Sequence, residues 1–315
     1  MSKPELLQIG PYPEWDQEAL DESYVVHKYF EADDKAALLA EVGPSIRAIA
    51  TRGELGADAE LIAALPNLEI IAINGVGFDA VDLDAARARG IRVTNTPGVL
   101  TDDVADLGVA LALAVSRGVV GGEAWARSGK WASEGLYPLQ HKVTGKKAGV
   151  LGLGRIGFEV AKRLAAFNMD IAYSDIAAKD YAPDWEFIAD PVALAERSDF
   201  YLVTLAASAQ TRHIVNKEVI EAVGPDGILI NVSRASNVDE DALLDALESG
   251  KLGAAGLDVF DGEPNINPRF VALENVVLQP HQASGTVETR MAMGQLMRDN
   301  LTAHFAGEEL PSAVI

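Results

Sequence analysis

Among the 315 residues there is no cysteine. Disulfides, thiolate nucleophiles and thiolate metal sites are therefore excluded. Positive charge is scarce as well: 26 Lys and Arg stand against 47 Asp and Glu, a formal net charge of −21. Nucleic acids and anionic membrane surfaces are held by clusters of cations, so this balance argues against both as partners. Long apolar runs are also missing. The most apolar stretch, Leu107 to Val115, is nine residues bounded by Asp106 and Arg117. Crossing a bilayer takes roughly 20. Met1 to Gly10 shows no basic start followed by an apolar core, so a secretory leader is not expected and the cytoplasm is the expected location.

What is present reads as a globular protein. Hydrophobic residues make up 49% and charged residues 23%, enough to bury a sizeable core. The length exceeds what one core usually organises, so two domains are expected. The net charge adds one requirement. An anionic substrate would be repelled by the overall field and would need a local cation where it binds.

The order of elements gives the fold class. Strands are predicted at 5–9, 24–30, 46–51, 68–73 and 91–94, with helices at 33–41, 58–65 and 79–89 between them. Short apolar runs alternating with helical patterns imply a parallel sheet covered on both faces. Thr96-Pro97-Gly98 interrupts this, and one long helix is predicted from 101 to 128, rich in Ala, Gly and Val. Its small residues suit either a buried core helix or a subunit interface. A second series starts at Lys147, with strands at 148–151, 170–173, 200–205, 228–232, 254–259 and 276–279. Helices are predicted between them at 156–167, 192–197, 217–223 and 239–248. Six strands with intervening helices match the α/β, Rossmann-type doubly wound fold. After Gly285 a last helix is predicted, with Val287, Met291, Leu296, Met297, Leu301 and Phe305 near helical spacing and the methionines filling core.

Gly152-Leu153-Gly154-Arg155-Ile156-Gly157 fits G-x-G-x-x-G between a predicted strand and a predicted helix. In that context the first glycine permits a tight turn, the second lets the backbone approach a pyrophosphate, and the third lets helix pack on strand. The helix N-terminus then offers N–H groups and partial positive charge to the phosphates. Asp175 stands 18 residues after Gly157, just past the next strand. A carboxylate there can accept from ribose hydroxyls and would repel a 2′-phosphate, which leans toward NAD(H) over NADP(H). Lys179 is the nearest cation.

Three further residues follow successive strands of the second series: Arg234, Glu263 and His281. In open α/β sheets ligands lie beyond the carboxyl ends of the strands, so the three are expected to converge. Reducing a 2-keto acid builds negative charge on the carbonyl oxygen. A protonated His281 can donate to that oxygen and a neutral one can take the proton back. Glu263 on the other ring nitrogen would fix the tautomer. Arg234 is the required cation, and its planar fork suits a carboxylate. His27, His141, His213 and His304 have no comparable context and are assigned to structure or surface.

With these residues in view the chain resembles the D-isomer-specific 2-hydroxyacid dehydrogenase family. The matching pieces are Gly75-Val76-Gly77-Phe78-Asp79, Val93-Thr94-Asn95-Thr96-Pro97-Gly98, the glycine fingerprint, Ile230-Asn231-Val232-Ser233-Arg234, Gly256 through Pro264, and Leu278 through Ser284. Tyr137-Pro138-Leu139 and Arg127 to Trp131 point toward its bacterial glyoxylate/hydroxypyruvate reductases. The resemblance implies that Arg234, Glu263 and His281 form a catalytic trio acting on a small anionic 2-keto or 2-hydroxy acid. It implies that Val76 and Gly77 present N–H groups to the substrate carboxylate, with Ser284 adding a polar contact near His281. Gly152, Gly154, Arg155, Ile156, Gly157, Asp175, Val232, Ser233 and Asp258 would surround the cofactor, Asp258 at the nicotinamide carboxamide. It further implies a homodimer and two domains. Residues 98–285 would bind the dinucleotide, and residues 1–97 with 286–315 would form a smaller flavodoxin-like substrate domain. No metal is implied. The chain departs from the family at Ala235, where a glycine usually follows the arginine, and at Thr204-Leu205-Ala206-Ala207, where a proline is frequent. The nearest branch often prefers NADPH and carries Arg or Lys where Asp175-Ile176 stands here. Alternative readings are a phosphoglycerate-dehydrogenase-like enzyme and a non-catalytic, dinucleotide-sensing binding protein.

Overall fold

The structure is a computed structural model and describes residues 3–315. The chain divides into two compact units, one built from both chain ends (up to Leu100 and from Gly285) and one spanning Thr101–Ser284.

In the first unit the order is β1 (Glu5–Gln8), α1 (Glu14–Ser23), β2 (Val25–Lys28), α2 (Lys35–Val42), β3 (Ile46–Arg52), α3 (Ala59–Ala64), β4 (Ile70–Asn74), α4 (Leu83–Ala88) and β5 (Arg92–Thr94). The five strands form one parallel sheet in the order β2-β1-β3-β4-β5. Successive strand residues point to opposite faces, so continuous apolar runs such as Ile70 to Ile73 supply both faces at once. Leu7, Ile49, Ile71 and Ile73 pack with Ile62 and Ala86 of α3 and α4 on one side. On the other, Leu6, Ala48, Ala50 and Ala72 meet Leu20 of α1 and Met297 and Leu301 of the last helix, Val287–Ala306. Each fully buried Leu or Ile contributes about 1.5–3 kcal/mol. Asp34, Asp58 and Asp82 accept hydrogen bonds from backbone N–H groups at the starts of α2, α3 and α4. Part of the acidic excess is thus helix capping.

Two details differ from the sequence reading. α1 is not visible as an apolar pattern because it buries only Leu20 and Asp16, the latter ion-paired with Arg298 of the last helix. The last helix passes α1 over Gly294, where a side chain would strike the Asp16 carboxylate. Met297 and Met293 are buried, but Met291 is half exposed, as is Val287, so the expected stripe is narrower than its spacing suggested.

The second unit runs α5 (Thr101–Ser116), α6 (Val119–Arg127), α7 (Lys130–Glu134), β6 (Lys147–Leu151), α8 (Arg155–Ala165), β7 (Asp170–Ser174), β8 (Glu186–Phe187), α9 (Pro191–Arg197), β9 (Phe200–Val203), α10 (Lys217–Val223), β10 (Ile228–Asn231), α11 (Glu240–Ser249), β11 (Ala254–Leu257), α12 (Pro268–Val271) and β12 (Val276–Leu278). Its sheet is parallel throughout, in the order β12-β11-β10-β9-β6-β7-β8. The chain winds outward from β6 to β8 and then returns to β9 on the other side of β6. The boundary between β6 and β9 is therefore the topological switch point, where doubly wound sheets open a crevice. The seventh strand is the two-residue β8, too short to leave a pattern.

The single long helix expected over 101–128 is two helices. They break at Gly118, whose φ of +56° leaves the helical region, and they bend by 58°. α5 is core: Val104, Ala105, Gly108, Leu111 and Ala112 are buried. A Cβ on Gly256 of β11 would lie 3.1 Å from Leu111 Cβ, so the missing side chain lets helix and sheet approach. Of the two readings of the small residues, the core reading holds for α5. α6 buries none of its residues. Among the described residues no single helix is long and apolar enough to cross a membrane; only the bent pair passes by length and composition.

Candidate active site

The glycine loop joins β6 to α8 at the switch point. Gly152 has φ +92°, and a Cβ there would lie 2.6 Å from Leu205 Cα. Only glycine suits a turn that is both left-handed and this close to its neighbour. A Cβ on Gly157 would lie 2.0 Å from Gly152 O and 2.7 Å from Thr204 Oγ1. That hydroxyl donates to Gly152 O at 2.7 Å, which secures the turn from the neighbouring strand. Gly154 is different. Its φ of −78° and ψ of −161° suit any residue, and a Cβ there would meet no protein atom within 4 Å. Nothing in the protein requires glycine at this point. The open space lies before the N-terminus of α8, where a pyrophosphate needs close backbone approach, so the loop fits a dinucleotide. Exposed Arg155 and half-buried Ile156 open the helix behind it.

Asp175 follows β7 as expected, with its carboxylate engaged on all sides. Oδ2 accepts from Leu153 N at 2.9 Å and Oδ1 from Ile176 N at 2.7 Å. Lys179 Nζ lies 2.9 Å from Oδ1. The Tyr181 hydroxyl donates to Leu153 O, so the turn after β7 is tied to the glycine loop by two residues.

Arg234, Glu263 and His281 follow β10, β11 and β12, three adjacent strands, and leave the same sheet edge. His281 Nδ1 lies 2.7 Å from Glu263 Oε2, and Glu263 Oε1 accepts from Phe260 N at 2.8 Å. Burial opposes ionisation of Glu263. The His281 hydrogen bond, the Phe260 N–H and the Arg234 charge outweigh it and hold the carboxyl below its ordinary value. An ionised Glu263 can only accept, so Nδ1 carries the proton and Nε2 is the nitrogen available to chemistry.

This coupling has a consequence for stability. A carboxyl lowered in the folded state contributes stability above its unfolded value, and that contribution is lost as pH falls through the folded value. Between pH 7 and pH 3 the urea midpoint of the native chain should therefore fall more steeply than that of Glu263→Gln. Parallel curves would show that Glu263 is not a group whose titration unfolds the site.

His281 itself has φ +52°, a region that costs a non-glycine residue on the order of 1–2 kcal/mol. Asp258 holds it there. The Asp258 backbone O accepts from His281 N at 2.8 Å, Oδ1 from Gln282 N at 2.7 Å and Oδ2 from Ala283 N at 3.0 Å. Burial pushes the Asp258 carboxyl up against the pull of those N–H donors. Its evident work is to fix the histidine loop, a role that sequence reasoning did not identify. Half-buried Ser284 ends the same loop.

Arg234 extends from β10 with Nη1 donating to Ser233 O at 2.9 Å. A buried network supports its backbone. Asn231 Nδ2 donates to Arg234 O at 3.1 Å, and Asn231 Oδ1 accepts from Ser233 N at 3.0 Å and Ser233 Oγ at 2.9 Å. Asn237 Nδ2 donates to Ser233 Oγ at 3.1 Å. Ser233, expected beside the cofactor, also supports Arg234 through this network. The Val232 side chain is buried, with Cγ2 3.5 Å from where a Cβ on Gly108 would stand. It packs toward α5, which leaves its main chain for any ligand.

In the first unit, Val76 and Gly77 follow β4, both half-buried. Asn95 Nδ2 donates to Val76 O at 2.8 Å and Thr96 N to Gly75 O at 2.9 Å, so the loop after β5 supports them. Among the described residues no group of three His, Asp or Glu side chains could hold a metal ion. His27 and His304 are paired with Glu5 and Glu69.

A dinucleotide crevice with an imidazole–carboxylate couple on the same sheet edge defines the class: a nicotinamide-dependent oxidoreductase. Comparison with known proteins makes this specific. The description "D-isomer specific 2-hydroxyacid dehydrogenase, NAD binding domain" matches residues 109–283. A 2-ketogluconate reductase of Gluconobacter oxydans is 44% identical, covering 100% of this chain and 99% of its own. Among solved structures, a 2-hydroxyacid dehydrogenase from Ketogulonicigenium vulgare is 69% identical with a TM-score of 0.94, covering 100% of this chain and 99% of that one. An NADPH-dependent glyoxylate/hydroxypyruvate reductase from Sinorhizobium meliloti, in complex with NADP and malonate, is 41% identical with a TM-score of 0.93, covering 99% of this chain and 97% of that one. The chain belongs to the D-isomer-specific 2-hydroxyacid dehydrogenase family and is an NAD(P)-dependent enzyme of 2-keto and 2-hydroxy acids.

Proposed function

We propose that this chain reduces small 2-keto acids, glyoxylate and hydroxypyruvate foremost, to the corresponding D-2-hydroxy acids. The observation that carries this reading is the Glu263-backed His281, 2.7 Å from carboxylate to Nδ1, beside Arg234. When bound, a reduced nicotinamide supplies the hydride. His281 Nε2 donates a proton to the carbonyl oxygen as negative charge gathers there, and takes it back in the reverse direction. Glu263 keeps the ring oriented and stabilises its charged form. Arg234 binds the substrate carboxylate and polarises the adjoining carbonyl, meeting the need for a local cation that the net charge of −21 created.

The reading extends to the unit built from both chain ends as the substrate-binding domain, with backbone N–H groups of Val76 and Gly77 toward the carboxylate and Ser284 near His281. It also includes a homodimer. The segment from α6 onward favours one, because Val119, Val120, Trp131, Leu136 and Leu139 are all more than half exposed, an apolar surface that a partner would cover. A cytoplasmic location fits the supply of reduced dinucleotide the reaction consumes. A second reading, a sugar-acid substrate, is favoured by the 44% identity to a 2-ketogluconate reductase.

The test is consumption of NADH and NADPH, followed at 340 nm, with glyoxylate, hydroxypyruvate, pyruvate and 2-ketogluconate, alongside light scattering for the dimer. The highest kcat/KM should fall on glyoxylate or hydroxypyruvate. A higher value for 2-ketogluconate would move the assignment to sugar acids. Dinucleotide binding without turnover of any of the four would indicate a sensor instead.

A further inference from the structure

The residue after the second strand of a dinucleotide fold usually decides between NAD and NADP by charge: a carboxylate there accepts from ribose hydroxyls and repels a 2′-phosphate. Read by residue type, Asp175 tilts this chain mildly toward NAD(H). The structure shows a different electrostatic object. Both Asp175 oxygens accept from backbone N–H groups of the turn and the glycine loop, at 2.9 and 2.7 Å, and Oδ1 also carries the Lys179 ammonium at 2.9 Å. The pair is formally neutral. The two side chains are 15% and 26% exposed, so water screens them less than it screens a surface pair.

Lys179 is held in place. Its N–H donates to the Tyr173 hydroxyl at 2.7 Å, which anchors the turn to β7. The pairing also raises the ammonium's own affinity for its proton, so it stays charged at any working pH. An ammonium has three donors and Asp175 engages one, which leaves capacity for a phosphate oxygen.

We propose that Lys179, paired with Asp175, cancels the carboxylate's discrimination and makes the adenosine end of the site a 2′-phosphate acceptor, so that the chain takes NADP(H) at least as readily as NAD(H). The proposal rests on the dinucleotide loop at Gly152–Gly157, and its test separates the two.

The experiment is calorimetric titration of the full chain, native and Lys179→Met, with NADP, NAD, adenosine 2′,5′-bisphosphate and AMP. Methionine keeps an unbranched stem and removes the charge together with its N–H donors. Native protein should bind NADP no more weakly than NAD, and the bisphosphate more tightly than AMP. Lys179→Met should weaken NADP and the bisphosphate by roughly tenfold or more, the scale of losing a charge partner. NAD and AMP should change by less than about twofold, and Lys179→Arg should retain NADP. Native protein preferring NAD by more than tenfold would overturn the proposal. So would an equal loss of all four ligands in Lys179→Met, which would make the pair a structural tie. If native protein bound none of the four, the dinucleotide loop reading would fall with it.

Discussion

His281→Ala should lower kcat by about 10²–10⁴, the range that a positioned acid–base group supplies. Cofactor affinity, read by quenching of protein fluorescence, should stay within a few-fold. The loop should survive the substitution because its anchors are main-chain: residue 281 N still donates to Asp258 O, and residues 282 and 283 still donate to the Asp258 carboxylate. Glu263 keeps its bond from Phe260 N. Backbone strain at φ +52° is a competing explanation for lost activity, and His281→Asn addresses it. Asparagine enters the left-handed region more readily than most residues but cannot act as a titrating acid. An equal loss in both variants assigns the effect to the imidazole. Wild-type turnover in either would remove His281 from the chemistry.

How much of this was legible beforehand depends on what kind of signal each residue leaves. The strands were readable because parallel strands buried on both faces become unbroken apolar runs, as in Ile70–Ile73 and Phe200–Val203. The glycine loop was readable because the turn, the helix–strand contact and the ligand approach each demand glycine at a fixed spacing. The break at Gly118 was not, because apolar residues continue on both sides and one glycine does not by itself end a helix. α1 was hidden by its polar sequence: it buries one apolar residue, Leu20, and one acid, Asp16, whose partner Arg298 lies 282 residues away. In the site, the chain positions of Arg234, Glu263 and His281 after consecutive strands foretold a shared edge. The directions of side-chain bonds left no trace. Asp258 turning both oxygens to the histidine loop, Ser233 supporting Arg234, and Lys179 closing on Asp175 are properties of folded turns, which residue type alone does not reveal.

Arg234→Ala should reduce kcat/KM for a 2-keto acid by about 30-fold to 4,000-fold, as expected when one partner of a desolvated charged contact is removed at roughly 2–5 kcal/mol and each 1.4 kcal/mol is tenfold. The chain's charge of −21 sharpens this expectation. Without a local cation an anionic substrate meets only repulsion, so KM should rise along with any fall in kcat. A second loss comes through Glu263, since the Arg234 charge is one of the influences holding its carboxyl low. Arg234→Lys separates the two contributions. It retains the charge felt by Glu263 but loses the planar fork that binds a carboxylate through two parallel bonds. Its kcat/KM should lie between native and alanine. Equality with native would mean that charge alone is needed, and equality with alanine would mean that the fork is the whole effect. Both variants should bind dinucleotide normally, because the Gly152–Gly157 loop is tied to β9 through Thr204 and to the β7 turn through Asp175, neither of which involves Arg234. An unchanged kcat/KM in Arg234→Ala would require another cation to hold the substrate.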